Sequence, residues 1–432
     1  MERVSVIGLG YVGLPLLCLL SEQEKYDTHG FDIDPQKITI IQKQKSPFPD
    51  TFLSNFLKKK RLSVSQNQEI LSKSDIFLIC VPTPVRKDFS PNYEPLLQAT
   101  ELVASFLQKG NLVLVESTIN PGVCEEMIAP LLEQKTGLRA GKDFDLAHCP
   151  ERVNPGDTTW TLHNIPRNLG GITSSSCKRA AQFYRSFLKG EIYEQKTIRE
   201  AEATKVVENT FRDINIAYVN ELAKSFDRMG IDLVSVLRGA ANKPFGFLAH
   251  FPGCGVGGHC IPVDPYYLIS EAEKSGIEHS FLRRAREINN SMPEYTVSLL
   301  ADALSDCKKP IRGTSIGILG ISYKAGVGDM RNSPALQIRE ILENKGAIVQ
   351  VYDPFLPEES NTNDLFEILK NSEGILIATD HKEFQSLSPE EFLRYDVSVV
   401  IDGKNIFPDP KIFWEKGISY RGIGRGNFHS PK

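Results

Sequence analysis

At 432 residues the chain is too long for one ordinary hydrophobic core, so two or three domains are expected. Hydrophobic content of 41% and charged content of 24% are those of a soluble globular protein, and a formal net charge of −4 argues against a nucleic-acid partner. Eight cysteines without a CxxC pair point away from a disulfide framework and toward a reducing cytoplasm.

Residues 3–7 read as a buried strand rather than part of a signal peptide. The longest apolar run, residues 14–20, falls far short of the ~20 residues that span a membrane, so no membrane partner is expected. After the first strand comes Gly8-Leu9-Gly10-Tyr11-Val12-Gly13, which opens a helix running through Leu20. A second strand ends at Phe31-Asp32. In that context Gly8, Gly10 and Gly13 form a dinucleotide fingerprint, since glycines allow a tight turn and let a pyrophosphate reach the free N–H groups of the helix start. The Asp32 carboxylate suits the ribose hydroxyls of NAD and repels the extra phosphate of NADP.

Apolar runs at 75–82, 111–116 and 144–148 continue the pattern, and a strand at 168–172 followed by a helix at 173–188 closes this half. Strands alternating with helices predict a parallel, doubly wound sheet. Cys149-Pro150-Glu151-Arg152-Val153-Asn154-Pro155-Gly156 follows one of these strands, at the edge where open α/β sheets bind ligands. There Glu151 either handles protons or sits in solvent beside Arg152.

Thr197-Ile198-Arg199-Glu200 is a capping box, and the helix it opens meets no glycine or proline before Gly230. Some 30 residues give a spine of roughly 45 Å, suited to bridging two domains and to pairing subunits. Lys205 and Asn209 share a face of it, with Arg212 continuing the row. A solvated stripe is the ordinary explanation. Against it, Val206, Phe211, Ile214, Ala217 and Tyr218 are apolar enough to bury much of the helix, leaving an ammonium and an amide to stabilise a developing oxyanion.

The most specialised loop is Pro252-Gly253-Cys254-Gly255-Val256-Gly257-Gly258-His259-Cys260-Ile261-Pro262-Val263-Asp264-Pro265. Its four glycines present Cys260 on irregular backbone that a ligand can approach, with Asp264 four residues on. Cys254, His259 and Cys260 lack a second ligand cluster at a usual spacing, so no metal is expected.

Helical sequence to about residue 305 gives way to strands predicted at 315–319, 348–352, 374–378 and 397–401. This second α/β lobe lacks the GxGxxG spacing. Its first turn carries Tyr323-Lys324 and then Asp329 to Pro334, where Ser333 is a helix cap and Pro334 the first helical residue. Lys324 and Arg331 stand near this second phosphate-ready helix start. The predicted fold is thus α/β, with two Rossmann-like doubly wound parallel-sheet domains, 1–197 and 309–432, joined by a helical domain, 198–308, that carries the cysteine loop.

Taken together these residues resemble the nucleotide-sugar 6-dehydrogenase family. The likeness covers essentially the whole chain: the 8–15 turn, Pro82-Thr83-Pro84, Glu116-Ser117-Thr118, the 150–156 segment, Ala201-Glu202-Ala203-Thr204-Lys205 with Glu208-Asn209, Gly257-Gly258-His259-Cys260, and Tyr323-Lys324 with Asp329 and Arg331. The resemblance implies NAD on the N-terminal lobe, UDP on the C-terminal lobe and a homodimer through the central helices. The implied cofactor contacts are Gly8, Gly10, Tyr11, Val12, Gly13, Asp32, Lys37, Pro82, Thr83, Ser117, Thr118 and Arg331. The implied reaction oxidises the sugar C6 alcohol to a carboxylate with two NAD⁺. Cys260 captures the aldehyde, Lys205 and Asn209 stabilise oxyanions, Asp264 positions water and relays protons, and Glu151 assists thioester hydrolysis. The implied substrate pocket takes in Glu151, Arg152, Val153, Lys205, Asn209, Arg212, Lys243, Phe245, Leu248, Gly257, Tyr323 and Lys324.

Two departures matter. Cys254 stands where related loops often carry proline, and its expected role is that of a small packed residue rather than a redox partner. Lys243-Pro244-Phe245-Gly246-Phe247-Leu248 replaces an arginine-containing segment of the UDP-glucose and UDP-N-acetylmannosamine members and most resembles those acting on UDP-N-acetylglucosamine. That sugar is therefore the expected substrate, for surface polysaccharide synthesis, ahead of UDP-N-acetylgalactosamine, UDP-N-acetylmannosamine and UDP-glucose. The rival classes are a nucleotide-sugar-binding pseudo-enzyme and a dehydrogenase performing one hydride transfer.

Overall fold

The computed structural model describes residues 1–86, 88–153 and 159–426. They form two compact units, one made of Met1–Glu208 with Tyr266–Glu278, the other of Asn209–Pro265 with the chain from His279 onward.

The first unit is built on eight strands: β1 (Glu2–Ile7), β2 (Tyr26–Phe31), β3 (Ser63–Ser65), β4 (Ile76–Ile79), β5 (Leu112–Val115), β6 (Asp145–His148), β7 (Arg167–Gly171) and β8 (Ile192–Glu194). Their order is β3-β2-β1-β4-β5-β6-β7-β8. Alternate residues of β4 and β5 enter different cores: Leu78, Leu112 and Leu114 pack with Val4 and Val6, while Phe77, Ile79, Val113 and Val115 pack with Ile7. A sheet covered on both faces requires such unbroken apolar strands.

The sheet is parallel with one exception: β7 runs antiparallel to β6. The expected parallel continuation at 168–172 therefore fails at that junction. A parallel neighbour needs a crossover of a dozen or more residues, usually a helix. Between β6 and β7 no helix forms among the described residues.

In the second unit β9 (Ser315–Leu319), β10 (Ile348–Tyr352), β11 (Gly374–Ile377), β12 (Val399–Asp402) and β13 (Ser419–Gly422) form an all-parallel sheet, order β10-β9-β11-β12-β13. Ile316, Ile318, Val399 and Ile401 enter one core, and Leu319, Ile375, Ile377 and Val400 the other.

The helix Ile198–Met229 contributes to both units. Its capping box forms as expected: Glu200 N–H donates to Thr197 Oγ1 at 3.2 Å, and Thr197 N–H to Glu200 Oε2 at 3.0 Å. Gly230 ends it at φ +69°. The expected apolar face needs correcting. Val206 and Ala217 are buried, but Phe211 and Tyr218 are exposed, as is Val207, so an apolar stripe remains on the outside of the helix. No helix among the described residues is long and apolar enough to cross a membrane.

Candidate active site

In the first unit the site begins at the turn after β1. Gly8 adopts φ +91°, and a Cβ there would lie 2.8 Å from the Cys80 carbonyl oxygen. A Cβ on Gly13 would collide with the Gly8 carbonyl. These two glycines are required by the chain's own packing. Gly10 differs, because a Cβ there would meet nothing within 4 Å. Glycine at that position leaves backbone bare toward open space, as a pyrophosphate approaching the start of helix Gly13–Ser21 requires. Val12 holds the cap position of that helix, and Tyr11 packs its ring on Phe48 with centroids 4.1 Å apart.

Asp32 is buried beneath the turn. Its Oδ2 accepts the Leu9 N–H at 2.8 Å and the Lys37 ammonium at 2.7 Å, and its Oδ1 accepts the Asp34 N–H at 3.0 Å. The carboxylate ties β2 to the glycine turn, and Oδ1 keeps a lone pair for a hydroxyl. Turn geometry and the carboxylate together fit a dinucleotide.

Thr83 and Ser117 occupy the loops after β4 and β5. Thr83 Oγ1 donates to the Thr118 carbonyl at 2.6 Å, and Ser117 Oγ to the Val81 carbonyl at 2.6 Å. These bonds fasten Pro82-Thr83 to Ser117-Thr118, so both hydroxyls already donate to main chain. The Tyr267 hydroxyl adds a bond to the Thr83 carbonyl.

Glu151 follows β6, and its carboxylate accepts the Val153 N–H. Arg152 does not face Glu151. It forks onto Glu208, with Nε to Oε2 at 3.0 Å and a terminal nitrogen to Oε1 at 2.6 Å, and also donates to the Pro166 carbonyl. Its charge is matched by Glu208. Asn154, Pro155 and Gly156 lie outside the described residues. Beneath this segment Arg167, fully buried, pairs with Glu116 and donates to the Cys149 carbonyl at 2.8 Å.

Lys205 is buried on helix Ile198–Met229. Three residues before it, Glu202 accepts the N–H groups of Gly122 at 2.5 Å and Cys124 at 2.9 Å. Burial pushes the Glu202 carboxyl up to about 7, against those two bonds. This anchor accounts for the glutamate of the 201–205 motif.

In the second unit Asn209, one turn beyond Lys205, is buried and donates its amide to Asp264 Oδ2 at 2.6 Å. Asp264 opens helix Asp264–Lys274, and its N–H donates to the Cys260 carbonyl at 2.8 Å. Val263 N–H reaches the same carbonyl at 2.9 Å. A tight turn thus links Cys260 to Asp264, and a side-chain bond links Asp264 to Asn209. Cys260 is half-buried. Arg212, further along that face, is exposed, and its neighbour Asp213 is buried.

The glycines of the cysteine loop prove to serve contacts within the chain. A Cβ on Gly257 would sit 2.8 Å from Tyr323 Cβ and 2.9 Å from Pro334 Cδ, and one on Gly258, at φ +92°, 3.0 Å from the Tyr323 ring. The Gly258 N–H donates to the Arg331 carbonyl, and Asn332 Nδ2 to the Gly258 carbonyl. The loop is therefore stitched onto residues 323–334.

Ser333 caps helix Pro334–Asn344 as expected, accepting the Ala335 N–H. Arg331, however, lies in this unit with its guanidinium bidentate on Asp329, 2.6–3.0 Å, and 3.1 Å from His259 Nδ1. Its charge is matched before any phosphate arrives. Lys324 is half-buried in the same loop. Lys243 lies over the Phe245 ring at 4.8 Å, and Phe245 and Leu248 are exposed.

Cys254 is a packed residue. Its thiol is buried and donates to the Gly403 carbonyl at 3.3 Å, and burial pushes its pKa up to about 11. A group held neutral in this way is a poor nucleophile. Among the described residues no group of three or more His, Cys, Asp or Glu side chains could hold a metal ion.

Three family models match the chain in order. They are the NAD binding domain of the UDP-glucose/GDP-mannose dehydrogenase family at residues 2–188, its central domain at 199–291 and its UDP binding domain at 317–409. The chain is 40% identical to a UDP-N-acetyl-D-mannosamine dehydrogenase of Pyrococcus horikoshii, over 98% of this chain and 100% of that one. It is 34% identical to a UDP-N-acetyl-D-glucosamine 6-dehydrogenase of Pseudomonas aeruginosa, over 93% and 97%. A solved structure of the UDP-N-acetyl-D-mannosamine dehydrogenase from Pyrococcus horikoshii superposes with a TM-score of 0.92 at 38% identity, covering 99% and 100%.

Proposed function

The chain belongs to the UDP-glucose/GDP-mannose dehydrogenase family, and from that premise we propose that it oxidises the C6 alcohol of a UDP-N-acetylhexosamine to the uronate in two steps at Cys260. The observation that carries this reading is the Cys260–Asp264–Asn209 unit, in which a half-buried thiol shares one turn with a buried, hydrogen-bonded carboxylate.

The Gly8–Gly13 turn and Asp32 would hold NAD⁺, which would supply the hydride acceptor for each oxidation. The first oxidation converts the CH₂OH to an aldehyde. The Cys260 thiol adds to its carbonyl carbon, forming the C–S bond of a thiohemiacetal while the carbonyl oxygen takes a proton. Loss of a hydride and a proton from that adduct leaves a thioester. Water then breaks the C–S bond, releasing the carboxylate and restoring the thiol. The sum is one alcohol, one water and two NAD⁺ giving one carboxylate, two NADH and three protons.

Asn209 and, one turn earlier, Lys205 are assigned to the oxyanion of each step, Asp264 to the proton and the water, and Glu151 to hydrolysis. Asp264 is suited to its task because Asn209 fixes one of its oxygens and helix geometry fixes its backbone. A homodimer through the central helices is supported by the exposed stripe of Val207, Phe211 and Tyr218, which leaves apolar surface for a second copy to cover.

For the sugar, the 40% likeness over the full length of the Pyrococcus horikoshii relative favours UDP-N-acetylmannosamine. The Lys243–Leu248 segment favours UDP-N-acetylglucosamine as the second reading. A panel of UDP-N-acetylmannosamine, UDP-N-acetylglucosamine, UDP-N-acetylgalactosamine and UDP-glucose, assayed for NADH, decides between them. The highest kcat/KM is expected with the mannosamine epimer. A higher value with UDP-N-acetylglucosamine selects the second reading, and a higher value with UDP-glucose overturns both.

A further inference from the structure

A buried polar chain in the second unit ends on the cysteine loop. Asp213 and Asn220 lie on helix Ile198–Met229, and Arg286 and Asn289 on helix Ser280–Asn290; all four are at most 4% exposed. Arg286 donates to Asp213 Oδ1 at 2.5 Å. Asn289 Nδ2 donates to the same oxygen at 2.8 Å and to the Asp213 carbonyl at 3.0 Å. Asn220 Nδ2 donates to Asn289 Oδ1 at 2.9 Å, and the Gly253 N–H donates to Asn220 Oδ1 at 3.0 Å.

The direction of this chain is not arbitrary. A carboxylate only accepts, so Asn289 must turn its NH₂ toward Asp213 and its oxygen toward Asn220. That in turn forces the Asn220 oxygen toward Gly253. The two amides and the Gly253 N–H all point back to one buried charge, and bonds aligned in a low-dielectric interior strengthen one another. The charge itself is held by Arg286. Asn289 also limits the loop sterically, since a Cβ on Gly255 would lie 3.1 Å from its carbonyl oxygen.

Other fixed points of the loop are Cys254 on Gly403, Gly258 on Arg331 and Asn332, and His259 beside Arg331. At Gly253 a side-chain relay reaches back to a buried ion pair. A buried polar chain of this kind is costly to bury and more specific than apolar packing, because its hydrogen bonds admit one arrangement. From this we infer that Asn220 and Asn289, oriented by Asp213, are positioning residues that hold the Cys260 loop in its reactive conformation. The inference rests on the reading of Cys260 as nucleophile.

The test uses full-length Asn220→Ala, with wild type and Cys260→Ala beside it. Steady-state kinetics and the rate of iodoacetamide alkylation at Cys260, followed by peptide mass spectrometry, are both measured. With the Gly253 pin lost, kcat is expected to fall about tenfold, as for a modest misplacement of a reacting group. The KM for NAD⁺ should stay within about twofold, because the cofactor turn is untouched. Alkylation should become faster, because a released loop exposes the thiol more often. Slower turnover with faster alkylation at Cys260 alone is the signature of positioning; general destabilisation would also speed alkylation of the buried thiols Cys18, Cys124 and Cys149. Asp213→Asn, nearly isosteric, should move the same two quantities in the same directions by less. If Asn220→Ala does not fold, that variant decides the matter. Turnover and alkylation both unchanged in the folded variant overturn the inference. The nucleophile reading fails separately, by turnover in Cys260→Ala, and the alkylation rate still reports the loop's position in that event.

Discussion

The two parallel sheets open with the same device and use it differently. After β1, Gly8 at φ +91° gives its N–H to the Phe31 carbonyl, and the Leu9 N–H goes to Asp32 at the end of β2. After β9, Gly320 at φ +85° gives its N–H to the Tyr352 carbonyl, and the Ile321 N–H goes to Asp353 at the end of β10. Both bonds to the carboxylates are 2.8 Å. Even the next link matches, with Asp34 N–H on Asp32 and Phe355 N–H on Asp353. The turn therefore belongs to the architecture of a β-turn-β crossing, not to dinucleotide binding as such.

What differs is what surrounds it. In the first unit the helix starts at Gly13, close behind the turn. In the second it starts at Pro334, and the intervening loop holds the cysteine loop through Tyr323, Arg331 and Asn332. Asp353 is also sealed, accepting further bonds from Ser322 N–H and Oγ at 2.8 Å and standing 3.3 Å from His381 Nε2. Burial pushes the Asp353 carboxyl up, but the bonds from His381 and Ser322 outweigh it and hold the group at about 2. Asp353 Oδ2 thus serves contacts within its own unit, where Asp32 Oδ2 takes the Leu9 N–H and the Lys37 ammonium.

Substituting the two turns should break the likeness most visibly. Gly13→Ala drives a methyl into the Gly8 carbonyl and is expected to abolish NAD⁺ binding, read by fluorescence titration. Gly10→Ala places its methyl in open space, so the protein should fold with a thermal midpoint near wild type yet bind NAD⁺ at least about tenfold more weakly. Wild-type NAD⁺ affinity in Gly10→Ala would mean that the open space is not where the cofactor goes.

The paired aspartates sharpen the contrast next. Asp353→Asn leaves several buried donors facing an amide and should cost about 3 kcal/mol of stability in denaturant titration, with the KM for NAD⁺ unchanged. Asp32→Asn should cost less stability but narrow the preference for NAD⁺ over NADP⁺. If both variants alter cofactor preference equally, the division of labour between the turns is wrong.

The smallest effect concerns acid. His148 in β6 is fully buried, and burial holds its pKa down at about 3 from 6.5. A group depressed in the folded state contributes stability above its unfolded pKa and loses it as pH falls, here from 6.5 toward 3. Asp353 by the same sign loses its contribution only below about 4. Glu202, raised to about 7, works in the opposite sense. Comparing His148→Leu with wild type isolates the histidine: the variant should gain about 2 kcal/mol relative to wild type between pH 7 and pH 5. A constant difference across that range would show His148 to be solvated.

Much of the fold is legible in the residue pattern where a strand is apolar throughout and bounded by turn residues. Residues 315–319 and 348–352 match β9 and β10 to the residue. The three- and four-residue strands β3, β8 and β13 escape notice because Ser63–Ser65, Ile192–Glu194 and Ser419–Gly422 carry too few apolar side chains to stand out. The antiparallel turn of β7 escapes because alternation fixes which residues are buried, not which way a strand runs. Within the site, the pairing of Lys205 with Asn209 follows from helix spacing and that of Cys260 with Asp264 from a short loop, while the bond from Asn209 to Asp264 joins distant parts of the chain. Arg212, at an interval of three from Asn209, is exposed. The interval of four reaches Asp213, and seven more reach Asn220, both buried. The partners of Arg152 and Asp353 were not legible, since each lies far away along the chain.

The proposal on which the rest depends is that Cys260 acts as a covalent nucleophile in an oxidation that consumes two NAD⁺. Counting NADH formed per UDP-sugar consumed, with the product identified by mass spectrometry, tests it most directly. The account predicts two NADH and one UDP-uronate per sugar, and no uronate from Cys260→Ala. One NADH with an aldehyde product, or uronate formation at the wild-type rate by Cys260→Ala, would contradict it.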